Sequence, residues 1–165
     1  MSHPYRPEPE ATQVLATATK LSAEVLTRWA PEVDVAGRFP RESVEAITRA
    51  GLLGLTVPAA LGGKGLGMRA FASVAEELAS ACGSTAMIYV MHVAAAQAIA
   101  SGGQLAGRDS ILRDMSAGKH LTTLAFSERG SRSQFWAPVS KLAPNGDGFR
   151  LRAEKSWVTS AQHAH

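Results

Sequence analysis

Two short segments near the end of the chain combine hydroxyl-bearing and aromatic residues in an order that indicates ligand binding. Residues 124–133 read LAFSERGSRS, and residues 155–160 read KSWVTS. Strand ends that carry such residues can hydrogen-bond the polar edge of a ring system and pack flat against one of its faces. A large aromatic such as Trp157 is, taken alone, more typical of core or interface packing. The hypothesis of a binding site therefore depends on the two segments together.

Other chemistries find less support in the sequence. His163 and His165 are not accompanied by a carboxylate or cysteine at ligand spacing, so no metal site is predicted. Ser127 has no histidine partner nearby in the sequence, which gives a hydrolase no support. Glu76 and Glu77 are adjacent, so on a helix they point in different directions and do not form a facing acid–base pair. No catalytic residue is nominated from these patterns.

Composition narrows the class of protein. The chain has 165 residues, 45% of them apolar, which is enough to fill a core. Its net charge is +3, and the basic residues are scattered rather than clustered, so a nucleic-acid partner is not expected. The single cysteine, Cys82, excludes a disulfide framework. The first ten residues lack the pattern of an export signal, and a cytoplasmic location is expected.

Apolar periodicity predicts five helices in the first two thirds of the chain. They cover residues 8–29, 40–51, 68–82, 86–100 and 106–117, and a glycine-rich loop occupies residues 55–67. The stretch 86–100 is nearly continuous in apolar residues but too short to span a membrane, and His92 and Gln97 interrupt it. We expect it to be a buried helix of the bundle. For His92, a core histidine with its hydrogen bonds satisfied is preferred over a residue that faces a substrate tunnel.

The pattern changes to β-structure after Lys119. Residues 121–126, 139–142 and 149–158 are predicted strands, and Asn145-Gly-Asp-Gly148 is predicted as a hairpin turn. The predicted fold is α+β. An all-α N-terminal helical bundle, residues 1–119, precedes an incomplete β-barrel-like domain, residues 120–165. Such a β domain should leave strand edges unpaired, so the chain is expected to be marginally stable or to associate.

At this point the sequence resembles the acyl-CoA dehydrogenase family. The resemblance runs from Phe39 onward. Residues 51–58 (GLLGLTVP) with 61–67 (LGGKGLG) resemble the family's GLLGxxVPxxxGGxG signature, a long and specific string. Residues 124–128 (LAFSE) resemble its AxTEP strand end, and residues 157–160 (WVTS) its WIT[NS] strand.

The resemblance implies an FAD site built from the two segments. The backbone around Phe126 and Ser127, with the Ser127 hydroxyl, is expected at the ring edge, and Trp157 and Thr159 near the ring. The full expected set is Leu124, Phe126, Ser127, Trp157, Val158 and Thr159. Ser133 occupies the position of the serine in the family's GSD string and is expected to bind the substrate.

The sequence departs from the family pattern around Ser133. Arg129 replaces a proline, Arg132 a glycine and Gln134 an aspartate. The two added positive charges could attract a phosphate-bearing substrate such as a CoA thioester, or mark a subgroup with another substrate. Either arginine taken singly is more typical of an exposed residue with no specific partner.

Three functions follow as hypotheses. The first is an FAD-dependent acyl-CoA dehydrogenase that converts an acyl-CoA thioester to the 2-enoyl-CoA. The resemblance implies a dimer or tetramer, an electron acceptor such as an electron-transfer flavoprotein, and a glutamate base in a later helical domain. We therefore expect this chain to be inactive alone. The second is a flavin-dependent monooxygenase of the same fold, and the third is a non-catalytic interaction module.

Overall fold

The first helix is longer than its sequence pattern predicts. The computed structural model describes residues 8–132 and 134–165. Helix α1, Thr12–Leu21, continues through a π-helical stretch, Ser22–Leu26, into α2, Thr27–Ala36. Pro31 lies inside α2, although proline removes a backbone donor and crowds the preceding turn. The π-helical widening lies just before that turn, where the Thr27 hydroxyl donates to the Ser22 carbonyl at 2.8 Å.

Four further helices complete the bundle. They are α3, Arg41–Arg49; α4, Met68–Ala81; α5, Gly83–Ser101; and α6, Arg108–Ser116, and a 3-10 turn, Ala59–Leu61, lies in the glycine-rich loop. The predicted helices are confirmed, with shifted ends. Cys82 adopts an extended conformation between α4 and α5. Helix α5 therefore begins at Gly83, before the predicted start at Ala86.

The core of the bundle is apolar and well buried. Its main cluster joins α1, the π-helical stretch, α3, α4 and α5, and includes Leu26, Ile47, Leu78 and Tyr89, all fully buried. A second, smaller cluster packs α6 against α5 and the 3-10 turn around Leu112. Burial of these faces stabilises the bundle that carries the candidate site.

Helix α5 is the most apolar element. At 19 residues and a mean hydropathy of 1.2 it is long and apolar enough to cross a membrane by length and composition, as many core helices of globular proteins are. Here it packs against α2, α4 and α6. Tyr89, His92 and Val93 are buried among these neighbours. The geometry is that of a core helix, as the sequence predicts.

The β-structure is a single hairpin within the described residues. Strand β1, Leu142–Asn145, pairs with β2, Gly148–Leu151, in antiparallel register with Leu142 opposite Leu151. The two-residue loop begins with Gly146 at φ 61°, a backbone conformation that hairpin loops of this length require and glycine adopts readily. The predicted turn is confirmed.

Three of the predicted strand ranges are corrected. Residues 121–126 form no strand, because their backbone groups bond to the helical part and to the chain end: Thr122 N–H donates to His92 Nδ1, and Leu121 N–H to His165 Nδ1. The first hairpin strand starts at Leu142 rather than at Val139. The second ends at Leu151, and beyond it only Lys155 makes a bridge.

The fold is thus a helical bundle followed by the start of a β domain, as the sequence predicts. The last helix ends at Ser116 and the first strand begins at Leu142. The boundary between residues 119 and 120 stays a prediction.

Candidate functional site

The structure brings the two segments that the sequence predicts to bind a ligand side by side. Glu128 and Lys155 form an antiparallel bridge. Ser156 N–H donates to the Ser127 carbonyl at 2.9 Å, and Arg129 N–H donates to the Glu154 carbonyl at 3.1 Å. These backbone bonds fix the register between segments that are separated by more than twenty residues of sequence.

A buried carboxylate lies at the centre of this contact. The Glu128 side chain is 1% exposed and accepts hydrogen bonds from Lys155 Nζ at 2.7 Å, from Val139 N–H at 2.8 Å and from Ser140 N–H at 2.7 Å. The Ser140 hydroxyl also donates to it. Both carboxylate oxygens thus accept hydrogen bonds, as burial of a charged acceptor requires.

This environment favours the ionised form of Glu128. The ammonium of Lys155, followed by the hydroxyl and backbone N–H of Ser140, lowers the pKa of the Glu128 carboxyl to about 2. The Lys155 side chain is 27% exposed, so the cation of the pair retains contact with water. The carboxylate therefore stays charged at neutral pH and holds its donors in place.

The predicted flavin contacts lie around this pair with different exposures. Leu124 and Ser127 are half-buried, and Phe126 is exposed and packs its ring 5.6 Å from that of Phe135. Trp157 is 92% exposed and has φ of 57°, an unusual conformation for a bulky side chain. Ser133, the predicted substrate contact, lies outside the described residues.

Val158 and Thr159 line a cleft between the second segment and the helical bundle. The cleft has a volume of about 710 Å³ and is walled by residues 37–40, which follow α2, by the start of α5 and by residues 158–163. Met87 and Ile88 of α5 supply apolar surface, and Ser84 and Gln162 supply polar groups. A volume of roughly 300–1,000 Å³ with mixed lining is typical of small-molecule sites.

One hydroxyl beside the cleft has no hydrogen-bond partner among the described residues. The Ser160 Oγ is buried and bonds to no residue in 8–132 or 134–165, and Ser160 has φ of 60°. A buried polar atom without a partner and a strained backbone are features that concentrate at ligand sites. Together with the exposed Trp157 ring they fit a planar ligand with a polar edge.

The segment that carries these groups is fastened to the bundle. The His163 ring stacks on Phe39, with centroids 3.8 Å apart, and His165 N–H donates to the Leu121 carbonyl at 2.9 Å. The two histidines thus have structural contacts. In residues 8–132 and 134–165 no group of three or more potential metal ligands is found.

His92 behaves as the predicted core histidine. Its Nε2 lies 3.0 Å from the Leu53 carbonyl, and its Nδ1 accepts from Thr122 N–H at 3.1 Å. Nδ1 accepts, so the proton sits on Nε2 and is donated to Leu53. Burial lowers the pKa of His92 to about 4, which keeps the ring neutral.

The charges near the first segment are partly neutralised. Arg129 pairs with Glu154 at 3.1 Å across the two segments, with both side chains largely exposed. Arg132 is exposed and has φ of 52°. The positive field expected from the departures around Ser133 is therefore reduced at Arg129.

The sequence interpretation missed Glu128 and Lys155 as site residues. Both lie inside the two segments, but charged residues in polar stretches are typical of exposed positions. One feature of the sequence could have identified them: Glu128 and Lys155 have opposite charges and lie in two segments that are expected to contact each other. Ser140, which also donates to the Glu128 carboxylate, lies in neither segment.

The comparisons with known proteins agree with the motifs. Residues 8–119 match the family model for the acyl-CoA dehydrogenase N-terminal domain. The human mitochondrial short-chain specific acyl-CoA dehydrogenase is 30% identical over 158 residues, which is 94% of this chain and 38% of that protein. The chain thus spans less than half the length of the curated relatives it matches.

Solved structures show the same fold. Butyryl-CoA dehydrogenase from Megasphaera elsdenii superposes with a TM-score of 0.86 at 20% identity, covering 99% of this chain and 44% of that one. Nitrososynthase from Micromonospora carbonacea var. africana superposes with a TM-score of 0.82 at 26% identity, covering 99% and 42%. Because the family model covers more than half of the sequence, the chain belongs to the acyl-CoA dehydrogenase family.

Proposed function

We propose that this chain contributes to an FAD-dependent dehydrogenase that oxidises an acyl-CoA thioester between its α- and β-carbons to give the 2-enoyl-CoA. The observation that carries the proposal is the bridge between Glu128 and Lys155. In a member of this family, that bridge gathers the residues expected to contact flavin beside a cleft of ligand size.

In this reaction the residues of this chain would bind and orient the flavin and the thioester. The backbone at Phe126 and the hydroxyl of Ser127 would hydrogen-bond the polar edge of the isoalloxazine, and the exposed ring of Trp157 would pack near it. Val158 and Thr159 would face the bound thioester across the cleft. When bound, FAD would supply the two-electron acceptor for the hydride that leaves the β-carbon.

The base that removes the α-proton is assigned to no residue of this chain. Among the described residues that line the cleft there is no carboxylate. We therefore propose that the glutamate of the family's later helical domain supplies this group. An electron-transfer flavoprotein is the proposed acceptor of the electrons, and a dimer or tetramer the proposed assembly.

Flavin binding by the purified chain is the first test. Titration with FAD should quench flavin fluorescence with a single saturable phase, and Ser127→Ala should raise the dissociation constant. The control is Ser101→Ala, at the exposed end of α5, which should bind like the wild type. Failure of the wild-type chain to bind either FAD or FMN would contradict the proposal.

The reaction is tested on flavin-loaded protein together with the part of the enzyme that carries the glutamate. Anaerobic addition of acyl-CoA should bleach the flavin absorbance. Without that glutamate, bleaching should be lost while binding persists. If acyl-CoA never bleaches the flavin in the assembled enzyme, the dehydrogenase reaction is wrong.

A flavin-dependent monooxygenase is the second candidate. The departures from the family's GSD string, at Arg132 and Gln134, keep it open. In this case only an external reductant should reduce the flavin, and oxygen consumption should then depend on substrate.

A further inference from the structure

We infer that Glu128 is a positioning residue: its carboxylate fixes the two segments relative to each other and thereby sets the positions of the flavin contacts. The part of the inference that concerns the flavin contacts rests on the proposed function. Glu128 itself is not expected to touch flavin, because its side chain is 1% exposed and its oxygens are occupied by protein donors.

The carboxylate ties together three stretches of chain. Its own stretch carries Ser127, its donors Val139 and Ser140 lie in a second, and Lys155 lies in a third. All three converge on one pair of oxygens. A bond to only one of the other two stretches would leave the third untied, whereas this arrangement joins all three.

Three of the six expected flavin contacts, Phe126, Ser127 and Trp157, lie within two residues of the bridged pair in the sequence. Ser127 precedes Glu128, and Trp157 lies two residues after Lys155. A slip of one residue between the segments would turn each side chain to the opposite face. Glu128 reinforces the backbone bonds that set this register, and so helps the Ser127 hydroxyl and the Trp157 ring to serve the same ligand.

A second ion pair between the same segments serves as a matched control. Arg129 and Glu154 are 3.1 Å apart, but their side chains are 80% and 71% exposed. Exposed pairs of this kind contribute little, because water solvates and salt screens both charges. If any charge between the segments sufficed, loss of either pair would have the same effect.

The substitution Glu128→Gln isolates the charge while keeping the shape. Oε2 faces two backbone N–H donors, so the glutamine oxygen is expected there and its NH₂ group must face Lys155. Adding Lys155→Met removes that opposing donor, and the double variant should recover part of the lost function. Glu154→Gln removes the exposed pair.

The experiment measures FAD dissociation constants and the visible spectrum of bound flavin for the wild type and these three variants. Glu128→Gln should weaken binding by about tenfold or more, as loss of an outer partner that orients a ligand-contacting group does at metal sites. The bound spectrum should also shift, because the ring contacts are displaced; a merely structural loss would lower occupancy alone. Glu154→Gln should match the wild type.

Equal binding and equal spectra in Glu128→Gln and the wild type would overturn the inference and leave the proposed function standing. If the wild type binds neither FAD nor FMN, the proposed function fails. Hydrogen exchange at the Ser156 and Arg129 amides then decides the role of Glu128. Loss of protection in Glu128→Gln and not in Glu154→Gln supports it, and equal protection overturns it.

Discussion

Trp157 combines an exposed ring with a strained backbone, and neither property stabilises the folded chain in the absence of a ligand. Its ring is 92% exposed, and its backbone has φ of 57°. For a residue with a β-carbon the left-handed region costs roughly 1–2 kcal/mol, which persists where function requires it. The strain is therefore best explained as part of the flavin site we propose.

This strain leads to a prediction with opposite effects on stability and binding. Asparagine tolerates the left-handed region better than tryptophan, so Trp157→Asn should raise the free energy of unfolding by up to about 1 kcal/mol. It should weaken FAD binding, because the ring is lost. Thermal unfolding followed by circular dichroism, and flavin titration, measure the two effects.

Trp136 provides the control for this substitution. It is 70% exposed, like Trp157, but is not among the residues with positive φ. Trp136→Asn should not stabilise the chain, since no backbone strain is relieved. Equal changes in melting temperature at the two positions would show that strain is not the cause.

His92 gives the chain a pH-dependent stability. The folded protein binds a proton at His92 with a pKa of about 4, against 6.5 for an exposed histidine. Between these values the unfolded state binds more protons, so stability is complete above pH 6.5 and falls as pH decreases towards 4. The shift corresponds to about 3 kcal/mol.

The expected result is a slope that depends on this residue. Urea unfolding between pH 7 and pH 4 should show declining stability in the wild type. His92→Gln should be less stable at pH 7 and have a clearly shallower slope, to which His120 and, towards pH 4, Glu128 still contribute. His120 is half-buried and its pKa is also lowered, first by burial and then by His165, so His120→Gln should remove only a smaller part of the slope. An unchanged slope in His92→Gln would contradict the assignment.

Among single residues, burial is predictable from the sequence where the residue's own helix determines it. His92 was predicted as a core histidine because its helix is apolar on most sides. Glu128 is not predicted as a site residue, because the donors to its carboxylate, Ser140 and Lys155, are twelve and twenty-seven positions away. Such contacts are set by tertiary structure, which local sequence does not contain.

At the scale of elements, the glycine-rich loop after α3 is shaped by close packing. A β-carbon on Gly63 would overlap the Val57 carbonyl, whereas one on Gly103, in the turn after α5, would meet nothing within 4 Å. Gly63 therefore allows the loop to fold back on itself, and Lys64 N–H donates to the Gly54 carbonyl at 2.9 Å within it.

Alanine substitutions should separate these two glycines. Gly63→Ala should destabilise the chain by about 1–3 kcal/mol, the range found for overpacked sites, because backbone must move to admit the methyl group. Gly103→Ala should change stability by less than about 0.5 kcal/mol. Chemical denaturation measures both, and similar values for the two variants would show that the loop adapts freely.

Helices were predictable where strands were not. Helical hydrogen bonds are local, so the period of apolar residues identifies all five helical regions and misses only their ends. Pro31 hid the continuation of the first helix, which the π-helical stretch makes possible. Residues 121–126 have the composition of a strand, but a strand exists only where a neighbour pairs with it. Their backbone groups instead contact His92 and His165.

At the scale of the whole molecule, the helical bundle and the β-hairpin differ in how much buried apolar surface stabilises them. The helical bundle has a continuous apolar core. The hairpin is paired only with itself in the described structure, all eight of its strand residues are exposed, and Leu142 and Phe149 are 63% and 71% exposed. An isolated two-stranded hairpin is marginally stable in water.

Native-state hydrogen exchange should therefore show two levels of protection. Amides of α4 and α5 should exchange only through global unfolding, and the paired amides of β1 and β2 through frequent local opening. Leu78→Ala, in the core, should lower the protection of the helices by about 2–5 kcal/mol. Phe149→Ala should leave the helices unchanged, because its ring is 71% exposed. If Phe149→Ala lowered helical protection as much as Leu78→Ala, the hairpin and the bundle would be one cooperative unit, and the division of the molecule argued from burial would be wrong.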